Sequence, residues 1–243
     1  MIIVHTNLYS LFFILGILVN LIFVYIETKK YGMQNVEIIG LLFLEAIGMI
    51  FGAKILYCIQ TKTFNILSAG FSSYGALIGA IFTIWLFSLI FKKQNPQLYC
   101  ITMLPMGLTY AIGKIGCFTA GCCYGVSYNG FMNVIYKKST DAPLNVNLFP
   151  VQLLESFIFL IIFSAFYFFY KTHKFTIKNI YIYVFILSLL KGILYYLRQE
   201  ATYNLFGSHQ WICLVLCFLT VILIFKDKYT GGKISNAELS TRL

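Results

Sequence analysis

Apolar residues in this chain fall in long unbroken runs separated by short polar stretches. Seven runs stand out, at 8–26, 37–59, 66–90, 97–118, 150–170, 179–197 and 210–225. Each is close to the ~20 residues that an α-helix, rising about 1.5 Å per residue, needs to cross a hydrocarbon layer about 30 Å thick. The pattern predicts an all-α polytopic membrane protein of about seven transmembrane helices, with residues 1–243 forming one transmembrane domain. The first run reads as a mature span, because no Lys or Arg precedes it and no small-residue cleavage site follows. The third run opens with Ser68-Ala-Gly-Phe-Ser-Ser-Tyr-Gly75, a start that predicts irregular backbone. Such backbone at membrane depth must line a cavity or be buried in protein. Pro105 inside the fourth run is tolerated in a membrane helix. The chain shows no internal repeat and no low-complexity tract.

Composition sharpens this picture. The chain is 60% hydrophobic and 11% charged, against about 25% charged in soluble domains. That excludes an ordinary soluble fold and a disordered chain. The net charge of +10 is spread in small clusters between apolar runs, which argues against a nucleic-acid partner and for charge-directed membrane insertion. Lys29, Lys30, Lys92, Lys93, Lys171, Lys174, Lys178, Lys226, Lys228, Lys233 and Arg242 fall on one side of a seven-span serpentine, eleven in all. The other side holds four: Lys62, Lys137, Lys138 and Arg198. The positive-inside rule makes the richer side cytoplasmic. It predicts an outside N-terminus, a cytoplasmic C-terminus with a flexible tail at 226–243, and an outer loop at 119–149. Seven cysteines in a chain of this length do not make a disulfide scaffold.

Three basic residues, Lys54, Lys114 and Lys191, lie inside apolar runs, as do Glu45 and Glu155. An ionisable residue there costs about 2.5–3.5 kcal/mol on insertion scales and marks function unless it snorkels to the surface. Glu45 is expected to pair with a lysine of the bundle. The serpentine sets Tyr9, Lys54, Tyr74, Lys114, Cys117, Gln152, Glu155, Lys191, Tyr195 and Arg198 in the outer half. Their convergence predicts a polar chamber whose surplus of cations takes an anionic ligand, a phospholipid headgroup being the one a membrane supplies. Lys114 and Cys117, Gln152 and Glu155, and Lys191, Tyr195 and Arg198 are spaced to share helix faces.

The densest unusual stretch is Gly113-Lys-Ile-Gly-Cys117-Phe-Thr-Ala-Gly-Cys122-Cys123-Tyr-Gly125. Its glycines, Gly125 among them, let backbone approach a ligand or turn sharply. The stretch resembles the signature of the prolipoprotein diacylglyceryl transferase family, Gly-Arg-x-Gly-Asn-Phe-x-Asn-Gly-Glu-x-x-Gly, in glycine frame and Phe118. Further segments are similar to family motifs in the same order: Tyr9 to Gly16, Gly52-Ala-Lys54, Ser72 to Gly79, Phe149 to Glu155, and Lys191 to Arg198. The resemblance implies transfer of the diacylglyceryl group of phosphatidylglycerol to the thiol of a lipobox cysteine in a prolipoprotein signal peptide. It implies a seven-helix protein of the bacterial plasma membrane with its site facing outward, acting as a monomer without metal or other cofactor. Lys54, Lys114, Lys191, Arg198, Gly125, Gln152 and Tyr9 would bind the phospholipid. Tyr74, Glu155, Cys122 and His209 would be the catalytic candidates.

The departures are chemical. Family arginines are Lys54, Lys114 and Lys191 here, which keep charge but lose the bidentate fork. A family histidine is Tyr74, and signature Asn and Glu positions are Cys117 and Cys122. Glu155 is the signature-linked acid retained, and His209 and His5 are the other bases on that side. For Cys117, Cys122 and Cys123 the readings open are a Cys117–Cys122 disulfide, a metal site of non-standard spacing, a nucleophile beside Lys114, and packing. Cys58, Cys100, Cys213 and Cys217 read as packing. The 119–149 loop holds Asn129, Asp141, Pro143 and a strand-like Phe131–Tyr136; the resemblance implies a periplasmic cap, and the loop either binds the peptide partner or merely covers the chamber. The readings set against lipoprotein transfer are a related transferase with another acceptor, and a non-catalytic lipid-binding protein.

Overall fold

A computed structural model describes residues 1–4, 7–63, 65–66, 70–92, 96–173 and 175–240, with side chains described to 226. His5, Lys93, Lys174, Arg242 and residues 67–69 lie outside the described residues. In chain order the elements are β1 (Ile2–Val4), α1 (Tyr9–Lys30), α2 (Asn35–Thr61), α3 (Ser73–Ile90), α4 (Pro96–Met103), α5 (Met106–Ala120), β2 (Val134–Tyr136), α6 (Val151–Thr172), α7 (Ile177–Tyr195), α8 (Gln199–Tyr203) and α9 (Ser208–Ser240). Seven helical segments among the described residues are long and apolar enough to cross a membrane, α4 and α5 together forming one of them. The expected all-α polytopic architecture is therefore present. The apolar part of α9 ends at Lys226 and the helix runs on to Ser240.

Two of the spans differ from the hydropathy reading. The third begins as helix only at Ser73, so the irregular start reaches through residues 70–72. The fourth is broken at Leu104-Pro105, where proline has no N–H to continue the ladder. Tyr183 of α7 repairs the break by donating to the Leu104 carbonyl at 2.9 Å.

Small residues set how closely the helices approach. Gly48 and Gly52 of α2 face Gly75 and Gly79 of α3, and a Cβ on any of them would fall on the partner's backbone or, at Gly48, on Thr83. This is small-xxx-small packing on both helices, which lets backbones meet where lipid supplies no hydrophobic drive. α1 and α5 meet similarly at Gly16 and Gly116, and buried Asn20 donates to Thr109 at 3.1 Å. The main apolar core runs from Val24, Leu41 and Met49 through Ile84 and Phe87 to Leu104 and Tyr183.

At one end of the bundle Glu27 of α1 accepts from Lys171 of α6 at 2.6 Å and from Lys30 at 3.1 Å, tying two spans together. Glu45 departs from expectation. It is fully buried, and neither carboxylate oxygen has a hydrogen-bond partner. Among the described residues no lysine reaches it, because the in-span lysines all stand nearer the other end.

That other end carries the cap. β1 and β2 pair in parallel, Ile2 with Val134 through Val4 with Tyr136. Leu148 bridges Val134 and Ser127. Val4, Val134, Tyr136, Ala142 and Leu148 make a second small core beneath Phe118 and Tyr124. The strand-like stretch is thus real but shorter than 131–136, and its partner β1 precedes the first span.

Candidate active site

α5 delivers the signature to this end. Its helix stops at Gly121, which takes φ +78°, a left-handed cap that a Cβ would block against Ser139. Two residues later Cys123 sits at φ +53°, unusual for a non-glycine residue. The reversal turns Cys122 and Cys123 back towards Cys117, and the three sulfurs lie within 4.8 Å of one another. All three are free thiols. Gln152 of α6 holds the turn, donating to the Cys122 carbonyl at 2.9 Å and to Tyr136 at 3.4 Å. Its Oε1 has no partner. Tyr9 of α1 faces the same thiols and Lys114. Hydrogen bonds with Cys117 and Cys122, and then Lys114 and Arg198 working against burial, pull the Cys123 thiol well below the ordinary range. The Cys122 thiol is pushed up, first by its hydrogen bonds with Cys117 and Cys123 and then by burial.

Beside the thiols is an ion cluster drawn from three elements. Glu155 of α6 accepts from Lys114 of α5 at 2.7 Å on one oxygen, and from Arg198 at 2.5 and 2.9 Å on the other. Tyr110, one helical turn before Lys114, donates to Glu155 at 2.8 Å and lies 3.5 Å from the Arg198 guanidinium. Glu155 is fully buried, and Lys114 and Arg198 are 5% and 4% exposed. Buried charges of this kind persist only when paired and hydrogen-bonded. Arg198 stands between α7 and α8, and the signature loop fixes it there. Val126 donates to Leu197 and Gln199 to Tyr124, so Gly125 and Arg198 form an antiparallel bridge. Gly125 is packed on the Phe149 carbonyl, leaving no room for a Cβ. Its observed work is to anchor the cap and Arg198.

Lys191 of α7 completes the group. Its ammonium bonds Ser73 at 2.5 Å and lies over the rings of Tyr74, at 3.4 Å, and Tyr110, at 4.7 Å. Two cations thus pair with one carboxylate, and a third stands on the far side of Tyr110. A small cleft, with room for about one water as it stands, lies beside them, lined by Tyr74, Lys191, Tyr195, Arg198, His209 and Gln210, with Cys213 at its wall. The His209 ring sits between those of Tyr74 and Tyr195, 6.2 and 6.0 Å away. Tyr74 is hydrogen-bonded to Cys213, so that cysteine, read as packing, belongs to the cleft.

The sequence-selected residues are therefore joined rather than scattered. Lys54 stands apart from the ion cluster. It donates to the Ile66 carbonyl at 2.8 Å and lies over the Phe71 ring. The neighbouring Ala53 carbonyl receives Ser72 N–H at 3.0 Å, which sets Lys54 at the level of the Lys191–Ser73 contact. Sequence reading passed over Tyr110 and Gln210. The i,i+4 spacing to Lys114 was available for Tyr110. Gln210 is 4% exposed with neither amide atom partnered, and only the three-dimensional cleft reveals it.

Comparison with known proteins bears on the family. The family model described as "Prolipoprotein diacylglyceryl transferase" matches residues 2–226. A phosphatidylglycerol–prolipoprotein diacylglyceryl transferase of Clostridium tetani is 29% identical over 91% of this chain and 93% of its own. A second, from Clostridium perfringens, carries the same name with the suffix 2 and is 30% identical over 93% of this chain and 94% of its own. One from Dehalococcoides mccartyi is 34% identical over 44% of each chain. With the match running from β1 to the end of the last apolar run, and so through every element that builds the cluster, this chain belongs to the prolipoprotein diacylglyceryl transferase family.

Proposed function

We propose that this multi-pass membrane protein transfers the diacylglyceryl group of phosphatidylglycerol to the thiol of a lipobox cysteine in prolipoproteins. The observation that carries the reading is a buried carboxylate paired with Lys114 and Arg198, with Lys191 over the adjoining Tyr110 ring, bordering a small cleft at one end of a seven-span bundle. Charge placed this way suits a lipid phosphate that gains charge as the glyceryl carbon leaves it. In the reaction the acceptor thiolate forms a C–S bond to the glyceryl carbon. The C–O bond to phosphate breaks, and its electron pair leaves with glycerol phosphate.

The roles follow from position. Lys191 and Arg198 border the cleft and meet the phosphate. Lys114 is spent on Glu155, so both act as positioning residues: Glu155 holds Arg198, and Lys114 offsets the carboxylate's charge so that the cluster stays net positive. Gln210 offers a donor and an acceptor to headgroup hydroxyls. Tyr74 and His209 orient the lipid beside the reacting atoms, and His209 receives or relays a proton. Tyr9, Gln152 and Gly125 shape the thiol side, and Lys54 meets lipid entering beside α2.

The distribution of basic residues supports an outside N-terminus, a cytoplasmic tail and an extracytoplasmic site in a bacterial plasma membrane. We take the monomer as the working unit. The test is complementation of a bacterium depleted of its own lipoprotein transferase. Growth and lipidated lipoproteins are expected with the wild-type chain and not with Lys191→Ala. Failure of the well-expressed wild-type chain with several lipobox precursors would overturn the reading.

A further inference from the structure

We infer that Cys117, Cys122 and Cys123 form a three-thiolate zinc site whose open fourth position takes the acceptor thiol. This rests on the transferase reading above.

The geometry is that of a built site. Three sulfurs lie within 4.8 Å. Around a zinc ion with Zn–S bonds of about 2.3 Å, thiolates stand about 3.8 Å apart, so closing on the ion takes only small side-chain movements. The backbone is committed to this convergence by the left-handed turns at Gly121 and Cys123. It is braced by Gln152 on the Cys122 carbonyl and by Thr140 N–H on the Ala120 carbonyl at 2.8 Å. A Cys-x4-Cys-Cys spacing reads poorly as a zinc motif, but the helix end folds it into one. A disulfide would use two of the three thiols and leave one over. Among the described residues no His, Asp or Glu joins the group. Three protein ligands with one position open is the pattern of catalytic rather than structural zinc. Three thiolates around Zn2+ carry one net negative charge, and Lys114 and Arg198 both interact with Cys123 from the neighbouring cluster.

The site answers a chemical need. Thiol alkylation requires a thiolate. Glu155 has both oxygens taken by Lys114, Arg198 and Tyr110, and is poorly placed to remove a proton. Thiophilic zinc deprotonates a thiol that binds it. The acceptor S–H gives its proton to water, from which His209 takes it up. Its sulfur lone pair forms the C–S bond, and the C–O electron pair departs with glycerol phosphate. Zinc is neither oxidised nor reduced.

The test uses the full chain, purified with reductant in nanodiscs containing phosphatidylglycerol. Zn2+ is titrated against a chromophoric chelator, and Co2+ binding is followed by thiolate-to-metal charge-transfer absorption. One zinc per chain is expected, with the site lost in Cys117→Ser, Cys122→Ser and Cys123→Ser separately and kept in Cys58→Ala. Gln152→Leu, which removes only the brace, should weaken zinc by about 10–100-fold. Chelation should abolish transfer to a lipobox peptide, and Zn2+ should restore it. The inference is overturned if zinc binds no better than to the triple serine variant, if thiol titration finds a disulfide in the active protein, or if transfer survives complete zinc removal. That last outcome leaves the transferase reading intact. Zinc at the three thiols with no thioether product overturns the transferase reading and the acceptor's place at the fourth position together. The two failures are thus distinct.

Discussion

Replacing Glu155 by glutamine tests the ion cluster with almost no change of shape. Glu155 is fully buried and its two oxygens take four donors, from Lys114, Tyr110 and twice from Arg198. In Glu155→Gln the counter-charge vanishes and an amide N–H2 must face at least one cation. Removing one partner of a buried ion pair costs about 3–5 kcal/mol, because the other charge stays buried and uncompensated. At about 1.4 kcal/mol per tenfold, the unfolding equilibrium shifts by roughly 10²- to 10³·⁵-fold. Lys114→Met is expected to cost less, since Glu155 keeps Arg198 and Tyr110. Here about 1–3 kcal/mol is lost with one charge-assisted bond. The double variant Glu155→Gln/Lys114→Met should be more stable than the sum of the two losses implies, by about 0.5–3 kcal/mol, since it removes one of the stranded cations. The assay is denaturant unfolding in one fixed lipid–detergent mixture, followed by circular dichroism. A Glu155→Gln protein as stable as wild type, or strict additivity in the double variant, would refute the reasoning.

Three further outcomes follow from the geometry. Gln210→Leu removes two unpartnered buried polar atoms and should stabilise the lipid-free protein by about 1–3 kcal/mol while raising KM for phosphatidylglycerol; a lowered melting point with unchanged KM would count against its place in the cleft. Gly52→Ala drives a methyl into the Gly75 carbonyl and should cost about 1–3 kcal/mol; Gly113→Ala, where a Cβ meets nothing within 4 Å, should be neutral or stabilising by up to about 1 kcal/mol. In reduced, metal-free protein the depressed Cys123 thiol should react with a small maleimide at a pH below that of an ordinary thiol near 8.5, because its thiolate persists as pH falls. Cys117→Ala, which removes one of the hydrogen bonds that hold it down, should move the midpoint of that profile upward, and an unmoved profile would contradict the assignment.

Much of the fold was legible because membrane spans are written as uninterrupted apolarity, which local sequence reports directly. The boundary errors have local causes. Residues 70–72 are apolar or small enough to extend a hydropathy run, yet they are held outside the helix by the Ser72–Ala53 hydrogen bond. The break at Leu104-Pro105 depends on Tyr183, which is 79 residues away. β1 is three residues long and exists only because the cap supplies β2. At the site, charge out of place in an apolar run pointed to Lys114, Lys191 and Glu155. Neutral partners carried no such signal. Tyr110 is one of many tyrosines, Gln210 follows a loop, and Cys213 resembles any small packing residue until the α7–α9 contact sets it against Tyr74. The convergence of the three thiols turned on two left-handed residues, and sequence marks only Gly121 of these.

Lipid transfer by the purified chain is the most direct measure of whether Lys191 and Arg198 serve a transferase. Reduced, zinc-supplied wild-type protein, given phosphatidylglycerol and a lipobox peptide, should yield peptide heavier by one diacylglyceryl group and an equal amount of glycerol phosphate. Lys191→Ala should lower kcat/KM by about 10–150-fold, the equivalent of one charge-assisted phosphate contact of about 1.5–3 kcal/mol, with Lys191→Arg recovering part of it. No thioether from the wild-type protein, or equal rates with and without the Lys191 ammonium, would contradict the claim that Lys191 and Arg198, at the end of α7, grip the lipid phosphate.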